Sequence, residues 1–481
     1  MRCMPSLATV LLLSLAACGG SALDDTGAAA TGTGGTGTDG TGTGGTDTTG
    51  GGTGTGGGGA TEVTGEVSEA VCVGTDNALR FDCVASAEGA LTWTVLEDGA
   101  PLRTFTTEGP DHSVSLYGLA ARTDYTWEAS GDAGSAAGAL STGALPSDLQ
   151  DLTLSTAGTA AGFDHVVLPI TCGSGWLLVA DTGGRIVWYE EVTTSGGGGP
   201  SDGVSGFSVT DRGSFITAAQ GRDLTEWSYG GGTLLEASVS NQHHDVHYSD
   251  GFIYALTEHT ADGLTVDGFS VFDSAGTEVA TWRLEEHVEV SGDGGGGGGG
   301  PGGGAQEWSH GNSIVVEGGR ALMSLRWQNA VLELDANPDS PSFGEVAWVL
   351  VGDDADLTSD FRWTDGGGYV GQHHARWNLD GTLSLFDNGD REDDSRVLAI
   401  ALDEGAMTAS EAAQWSLGTH CDIQGAGFDL GGGNMLATCG DGGWAAAYDA
   451  AGAETWSLDM SCAGGDGRGS SAPRVRPLTG F

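Results

Sequence analysis

A short unit recurs through the C-terminal two thirds of the chain. Each copy has an apolar stretch, a turn that contains Asp and Gly, and a second stretch that carries Trp. The copies run from Asp181 to Trp188, Phe272 to Trp282, Leu334 to Trp348, Leu402 to Trp415 and Tyr448 to Trp456. Because such a hairpin is the outer half of a four-stranded propeller blade, the repeat predicts a β-propeller. Another unit fits between Gly206 and Val239, with its Trp227 off the pattern, so we expect six blades.

Composition agrees with an all-β fold and excludes one class of partner. The 481 residues include 88 Gly, which favours short strands joined by tight turns. The chain has 66 acidic residues against 17 basic ones, all of them Arg, and a formal net charge of -49. A protein this acidic does not dock on phosphate backbones or on anionic lipid through basic residues. We therefore expect no nucleic-acid partner.

The first 18 residues resemble a bacterial lipoprotein signal. Arg2 precedes an apolar stretch from Leu7 to Leu15 that is too short to span a bilayer. The stretch ends in Leu15-Ala16-Ala17-Cys18, where the resemblance implies cleavage and a lipid on Cys18. A plain secretory peptide is the alternative. We expect an exported lipoprotein of the cell envelope, on the periplasmic face or the cell surface, most simply at the outer membrane.

Three segments follow the signal. Residues 19–60 are rich in Gly, Thr and Asp and lack aromatic residues, which predicts a disordered tether. Residues 61–148 alternate apolar and polar side chains, and Trp93 with Tyr125 resembles the core of a fibronectin type III or immunoglobulin-like β-sandwich. Residues 149–481 contain the repeat. The predicted fold is therefore an all-β chain in which a small sandwich precedes a six-bladed propeller.

The cysteines predict three disulfide bonds, which an exported protein can form. Six cysteines remain if Cys3 leaves with the signal and Cys18 carries the lipid. Neighbouring strands favour the two short-range pairs, and the third pair would then join the first blade to the last. The predicted pairs are Cys72–Cys83, Cys421–Cys439 and Cys172–Cys462.

Histidines gather where the first strand of successive blades is expected to begin. A propeller places these strands around its central channel, so their opening residues converge from distant positions. The openings that carry His are Asp164-His165, Gln242 to Asp245, Ser309 to Asn312, Gln372 to His374 and Thr419-His420. They hold seven of the 11 His. This pattern predicts a functional site in the channel.

Imidazole-mediated group transfer fits this cluster better than metal or cofactor chemistry. Alternate residues of a strand face opposite ways, so the acid and His side chains from His243 to His247 cannot all reach one ion. The chain has no haem attachment motif and no nucleotide loop, since the Gly run from Gly294 to Gly304 follows no strand. A calcium loop from Asp387 to Asp394 is less favoured than a structural role. We expect neither a metal nor a cofactor.

Five motifs occur in an order that resembles the bacterial aryl-sulfate sulfotransferase family. They are Glu307 to Ile314, Ser324 to Arg326, Gln372-His373, Leu385 to Gly389 and Ser395-Arg396. The resemblance covers the third to sixth predicted blades well and the first two poorly. Members of that family are exported six-bladed propellers, often with a small β domain ahead. They move a sulfuryl group from one phenol to another without the nucleotide sulfate donor.

The resemblance assigns roles to individual residues. It implies that His373 is the nucleophile and forms a sulfohistidine, that His310, Asn312 and Arg326 bind the sulfuryl group, and that His244 is the other channel histidine. An Arg fork and neutral donors suit the three oxygens of a sulfuryl group. Either His310 or His244 could protonate the departing phenolate and later take the proton of the acceptor.

Further residues are candidates for substrate binding, and their orientation stays open. They are His374, His243 and His420. His243-His244 and His373-His374 are adjacent pairs, and the sequence does not decide which member of each pair faces the channel, although strand alternation predicts that His374 turns away. A different class of function also stays open, namely a surface-anchored propeller that binds or adheres without catalysis.

Overall fold

The computed structural model describes residues 59–65, 67–172, 174–192, 203–219, 223–290, 306–353, 355–389, 393–462, 472 and 474–481. The predicted signal, Cys18, nearly all of the tether and the run from Gly294 to Gly304 lie outside these residues. Among the described residues the fold is all-β, as predicted. No helix in this part of the chain is long and apolar enough to span a membrane.

The first eight strands form two antiparallel sheets. They are β1 (Gly59–Gly65), β2 (Ser68–Gly74), β3 (Phe81–Ser86), β4 (Ala90–Glu97), β5 (Ala100–Glu108), β6 (Asp111–Leu116), β7 (Asp124–Gly131) and β8 (Gly134–Ser141). One sheet has the order β1-β8-β7-β4-β5 and the other β2-β3-β6. Both sheets contribute to one core that contains Phe81, Trp93 and Trp127. The Tyr125 hydroxyl accepts a hydrogen bond from the Ala120 N–H at 2.8 Å and fixes the corner before β7.

A short helix, α1 (Ser147–Gln150), leads into the remaining strands. These are β9 (Leu152–Gly158), β10 (His165–Cys172), β11 (Ser174–Asp181), β12 (Ile186–Glu191), β13 (Val204–Val209), β14 (Ser214–Ala219), β15 (Asp223–Ser228), β16 (Thr233–Ser238), β17 (Gln242–Ser249), β18 (Phe252–Ala261), β19 (Leu264–Phe272), β20 (Glu278–Arg283), β21 (Gln306–Glu307), β22 (Gly311–Glu317), β23 (Arg320–Leu325), β24 (Ala330–Asp335), β25 (Val346–Val351), β26 (Arg362–Trp363), β27 (His373–Trp377), β28 (Leu383–Asp387), β29 (Arg396–Asp403), β30 (Thr408–Ser416), β31 (Ala426–Gly431), β32 (Asn434–Cys439), β33 (Trp444–Tyr448), β34 (Glu454–Cys462) and β35 (Arg476–Leu478). Two 3₁₀ turns, Leu284–Glu286 and Arg326–Gln328, follow β20 and β23.

In the described residues these strands form six sheets of four or five strands in a propeller-like series. The sheet orders are β35-β10-β11-β12, β13-β14-β15-β16, β17-β18-β19-β20 with β21 beside β19, β22-β23-β24-β25, β27-β28-β29-β30-β26 and β31-β32-β33-β34-β9. Sequential antiparallel sheets of this size are the building unit of propellers. The two ends of the chain complete the first and the last sheets, since β35 pairs with β10 and β9 pairs with β34.

The repeated Asp residues form turns within the sheets, and four of the repeated Trp residues link neighbouring sheets. Asp273 shows the turn, where its Oδ1 accepts the N–H groups of Ala275 and Thr277 at 2.9 Å. Four of the repeated Trp side chains donate their indole N–H to a carbonyl in the turn of the following sheet. The pairs are Trp188 to Tyr229, Trp282 to Gly344, Trp415 to Asp449 and Trp456 to Thr182. The last pair connects the sixth sheet to the first, so the repeat serves contacts between sheets as well as within them.

The predicted disulfide pairs are confirmed. The bonds are Cys72–Cys83, Cys421–Cys439 and Cys172–Cys462. The last one joins β10 of the first sheet to β34 of the sixth. Because it closes a segment of 290 residues, it removes a large amount of conformational freedom from the unfolded chain.

One prediction about the first sheet is wrong. His165 was expected at the opening of an innermost strand, but β35 lies beside β10 on that edge. His165 instead contacts Asp164 at 3.0 Å and packs against the ring of Phe481. The C-terminal segment supplies the edge strand, which a reading of local sequence does not reveal.

The first strands of successive sheets contact one another and position the site. β10, the second strand of the first sheet, contacts β13, and contacts then link the first strands β13, β17, β22, β27 and β31 in turn. Gly206 of β13 shows how tightly they pack, since a Cβ atom there would lie 2.6 Å from the Cα of Asp245. A side chain at this position would displace the backbone that carries His244.

Candidate active site

A cavity lies where residues of all six sheets converge. Its lining residues are Pro169, Gly206, Phe207, His244, Asn312, His373, Gln424, Gly425 and Arg474. Pro169 and Arg474 come from the first sheet and the segment that leads into β35, and the others come from the second to sixth sheets or the residues just before them. His373, His244 and Asn312, which the sequence predicts as site residues, are thus brought together from positions up to 129 residues apart, from 244 to 373.

The hydrogen bonds of His373 define its tautomer. Its Nδ1 lies 2.7 Å from Asn388 Oδ1 and 3.1 Å from the carbonyl of Gly371. Asn388 donates its Nδ2 hydrogens to the carbonyls of Cys421 and Gln424, so Oδ1 is the atom that faces the imidazole. Both partners of Nδ1 are acceptors, so Nδ1 carries the proton and Nε2 keeps its lone pair. The Gln424 N–H donates a hydrogen bond to this Nε2 at 3.3 Å.

The environment of His373 keeps the imidazole neutral. Burial and then the positive charge of Arg326 lower its pKa to about 3. At neutral pH nearly every molecule therefore has an uncharged His373 whose Nε2 lone pair carries no proton. A neutral, oriented imidazole that faces a cavity is suited to nucleophilic attack.

Asp267, His243 and His244 form a chain that ends at the cavity. His243 Nε2 lies 2.8 Å from Asp267 Oδ1, an ion-pair distance, although the contact does not have the angle of a hydrogen bond. The Nδ1 atoms of His243 and His244 lie 2.7 Å apart. A bulge between Gln242 and Val246, with a φ of 54° at His244, turns the second histidine into the cavity. Asp267 also accepts hydrogen bonds from Ser309 and the Gly311 N–H.

The two histidines of this series differ in how readily they bind a proton. Burial opposes protonation of His243, but Asp267 outweighs it and the net pKa of His243 is raised. Burial and the neighbouring histidines place the pKa of His244 well below its usual value. His243 therefore binds a proton more readily than His244, and in its protonated form it donates its Nδ1 hydrogen to His244. A neutral His244 that accepts at Nδ1 carries its own proton on Nε2, which makes it a donor.

His310 lies beside this chain but does not line the cavity. Its ring centroid is 4.9 Å from that of His244 and 5.2 Å from that of Trp327. Its Nδ1 lies 2.6 Å from Glu307 Oε2, and this hydrogen bond lowers the pKa of Glu307 to about 2. The carboxylate therefore stays ionised and holds the His310 ring in place.

Arg326 and Asn312 each keep a polar atom without a partner among the described residues. Arg326 donates from Nη2 to the carbonyl of Asp422 at 3.1 Å and stacks on Trp327, while its buried Nε has no partner. Asn312 donates from Nδ2 to the carbonyl of Gln372 at 2.7 Å, and its buried Oδ1 has no partner. Buried polar atoms that lack a partner are costly, which suggests that a ligand completes them.

The three further candidates lie away from the cavity. His243 lies behind His244, as described above. His374 packs against the ring of Phe428 at 4.7 Å. His420 contacts the carbonyl of Asp393 and Asp422 Oδ1, each at 3.0 Å. The structure thus places none of the three where a substrate in this cavity would touch it.

Sequence reasoning missed several residues of the site. Asn388 was quoted within a motif without a role, and Gln424 carries no local signal. Asp267 lies on the third strand of its sheet. Nothing in the neighbouring sequence distinguishes it from the many Asp residues that form turns. Arg474 reaches the cavity because the C-terminal strand β35 joins the first sheet, and this pairing is not visible in the local sequence. A signal existed only for Asn388, as the residue after a buried strand in the Leu385 to Gly389 motif.

The acid-rich segment after β28 contains a structural ion pair. Asp387 Oδ2 accepts a hydrogen bond from Arg396 Nε at 2.9 Å, and Oδ1 accepts the N–H of Val370 at 3.0 Å. Among the described residues, one cluster has the spacing of metal ligands: Cys421, Cys439 and Asp441. Its two sulfurs form a disulfide bond and are not available to a metal.

Comparison with known proteins gives a family match over about half of the chain. Residues 172–420 match the model of the arylsulfotransferase (ASST) family. No curated protein matches the chain.

Several solved structures share a weak similarity. A protein of unknown function from Bacteroides caccae is 9% identical, with a TM-score of 0.42, over 66% of this chain and 99% of that one. A putative 6-phosphogluconolactonase from Bacteroides uniformis is 13% identical, with a TM-score of 0.38, over 66% and 100%. A catalytically inactive virginiamycin B lyase from Staphylococcus aureus is 11% identical, with a TM-score of 0.38, over 63% and 87%. At these values the similarities carry no inference about the chemistry of this chain.

Proposed function

Because this chain belongs to the arylsulfotransferase family, we propose that it transfers a sulfuryl group from an aryl sulfate to a phenol through a sulfohistidine on His373. The observation that carries this proposal is the neutral His373, whose Nε2 is unprotonated and whose side chain lines a cavity formed by residues from all six sheets. Such a nucleophile needs no metal to attack sulfur. The aryl sulfate and the phenol would be small-molecule partners.

The proposed architecture is a six-bladed propeller behind a small sandwich. Each of the six sheets would be one blade, with β35, β13, β17, β22, β27 and β31 nearest the channel. The contacts among five of these first strands and the Trp456 bond between sixth and first sheets support this arrangement. The two N-terminal sheets with their shared core would form the fibronectin III-like sandwich.

In the first half-reaction, the lone pair of His373 Nε2 forms a bond to sulfur. The bond between sulfur and the phenolic oxygen breaks, and its electron pair stays on that oxygen. We assign the sulfuryl oxygens to Arg326, whose charge acts on His373 and whose Nε has no partner among the described residues, and to the Gln424 N–H, which moves from Nε2 to a sulfuryl oxygen. His244 gives its Nε2 proton to the phenolate and takes the Nδ1 proton of His243 in exchange.

The second half-reaction runs the same steps in reverse. An acceptor phenol gives its proton to His244 Nε2 while its oxygen attacks the sulfohistidine. His244 returns its Nδ1 proton to His243, where Asp267 stabilises the positive charge. The pair of His243 and Asp267 thus supplies one proton in the first half-reaction and regains one in the second, as a double displacement requires.

Asp267→Asn should move the basic limb of the pH profile of kcat/KM to lower pH, by about 1 unit or more. Asp267 raises the pKa of His243, so the protonated form that supplies the proton persists below that pKa and is lost as the pH rises through it. Without the carboxylate charge, burial lowers that pKa. Glu285→Gln is the matched control, because Glu285 pairs with His259 at 2.7 Å, away from the cavity. An unchanged basic limb in Asp267→Asn would refute the supply of the proton by His243.

The activity itself is tested with 4-nitrophenyl sulfate, a chromogenic donor, in the presence and absence of phenol. We expect release of 4-nitrophenol that depends on phenol and persists after chelator treatment. If the protein transfers nothing from several aryl sulfates, the alternative of a non-catalytic binding or adhesion propeller replaces this proposal.

We also propose that the protein is an exported lipoprotein of the cell envelope, anchored through Cys18. The proposal rests on the Leu15-Ala16-Ala17-Cys18 sequence. Labelled palmitate supplied to a bacterial host should enter the wild-type protein and not Cys18→Ser. Equal labelling of the two proteins, or no labelling of either, would contradict the anchor.

A further inference from the structure

Three arginines converge next to the cavity of His373. We call Arg376, Arg474 and Arg476 the arginine cluster. Arg474 lines the cavity, Arg476 begins β35 two residues later, and Arg376 lies on β27 two residues after His374. β35 belongs to the first sheet and β27 to the fifth, so the cluster combines cations from two sheets. None of the three has a role in the proposed transfer.

All three arginines act electrostatically on the same two histidines. All three lower the pKa of His247 and of His374, after the larger effect of burial, and the pKa of His247 falls to about 3. Arg376 lies 4.9 Å from the ring centroid of Phe428, which also packs against His374. Both histidines are therefore neutral, and they neither add to nor cancel the positive charge.

Acidic groups compensate this cluster only in part. Arg474 Nη1 lies 2.5 Å from Asp245 Oδ1, which is a buried ion pair. Arg376 Nη2 lies 3.9 Å from Glu317, whose side chain is half exposed. Arg476 has no ion pair among the described residues, and burial followed by repulsion from Arg376 lowers its pKa to about 10. At least one positive charge is thus unpaired inside a protein whose net charge is -49.

Arg376, Arg474 and the neighbouring His374 each carry a buried polar atom without a partner among the described residues. The Nε atoms of Arg376 and Arg474 and the Nδ1 of His374 are buried and have no hydrogen-bond partner in the described part of the chain. Unpaired buried cations and donors cost free energy that an anion would recover. Guanidinium groups match oxyanions because they donate parallel N–H bonds to two oxygens.

We infer that the arginine cluster is a binding site for a small oxyanion, separate from the position where His373 attacks sulfur. The ligand is either a free anion such as inorganic sulfate or an acidic group on an aryl substrate. Binding of the free anion does not depend on the proposed function. Binding of an acidic substrate group does rest on it, so the two sources are tested separately.

The first test compares thermal unfolding of the wild type, Arg376→Met and Arg476→Met in sodium sulfate and in sodium chloride of equal ionic strength. Sulfate stabilises most proteins by exclusion from their surface, so the comparison between variants is decisive. Sulfate should raise the Tm of the wild type by about 2–4 °C more than that of either variant. Arg320→Met, which removes an exposed arginine paired with Glu333, should respond like the wild type.

At low salt the two cluster variants should be at least as stable as the wild type, because each removes a buried charge that lacks a full partner. If both are instead strongly destabilised and all proteins respond equally to sulfate, a carboxylate outside the described residues already pairs the cluster. That result would overturn the site.

The second test measures KM for two acceptors, 4-hydroxybenzoate and the neutral 4-methylphenol. If the site holds an acidic substrate group, Arg376→Met should raise KM for 4-hydroxybenzoate about tenfold and leave KM for 4-methylphenol unchanged. A sulfate response in the first test without this change in KM assigns the site to a free anion. A protein that binds sulfate but transfers nothing would refute the proposed function and keep the site, whereas no response in either test would refute the site.

Discussion

His373→Ala should abolish sulfuryl transfer, with a fall in kcat of about four orders of magnitude or more, the scale on which loss of a nucleophile acts. The substitution removes the Nε2 atom that would carry the sulfuryl group and leaves Asn388 Oδ1 without its donor. Activity is measured as phenol-dependent release of 4-nitrophenol. Far-ultraviolet circular dichroism and the Tm would show whether the variant is folded.

His374→Ala is the matched control for this prediction. His374 is also buried, but it packs against Phe428 outside the cavity. Its loss should lower the Tm, because it leaves a void, while kcat stays within about tenfold of the wild type. If His374→Ala is inactive while His373→Ala retains activity, the nucleophile has been misassigned.

Arg326→Ala should lower kcat by about two to three orders of magnitude, as expected when one donor to a developing negative charge is lost. Its Nε is buried without a partner among the described residues, and its charge acts on His373. Because that charge lowers the pKa of His373, its removal should also raise this pKa and move the acid limb of the pH profile to higher pH. Both effects are read from kcat and kcat/KM as functions of pH.

Arg185→Ala is the corresponding control, since Arg185 forms exposed ion pairs with Glu97 and Asp181 far from the site in sequence. It should leave kcat unchanged. If Arg326→Ala raised KM with kcat unaltered, Arg326 would bind the ground state and the transition state equally, and its role in stabilising the transferred group would be excluded.

The sequence predicts most of the strands of this fold because their signals are local. An Asp whose side chain accepts the next N–H groups forms a turn on its own, as Asp449 does with Ala451 and Ala453 at 2.9 Å. A Trp after each such turn then indicates the outer strand. These two signals located the third and fourth strands of five of the six sheets.

Features that depend on distant pairing were not predictable. β35 lies beside β10 although more than 300 residues separate them in the chain, from 172 to 476. The Arg474 side chain reaches the cavity only because of that pairing. Asp267 contacts His243 across its sheet, and no spacing in the sequence distinguishes it from the many acids on the surface.

The two histidine pairs show where strand alternation stops being a guide. His373, the first member of its pair, lines the cavity, whereas in the other pair it is the second member, His244. Register shifts interrupt both strands, between His373 and Arg376 and between Gln242 and Val246. A bulge changes the direction of the side chains that follow it, so the rule for regular strands fails at these positions.

The sulfohistidine is tested most directly by trapping. The protein would be incubated with an aryl [³⁵S]sulfate without acceptor, quenched in alkali and digested for peptide mapping. We expect about one label per chain on the peptide that contains His373, retained in His374→Ala, absent from His373→Ala and released when phenol is added before the quench. An active protein that carries no label, or one whose label survives in His373→Ala, would contradict transfer through His373.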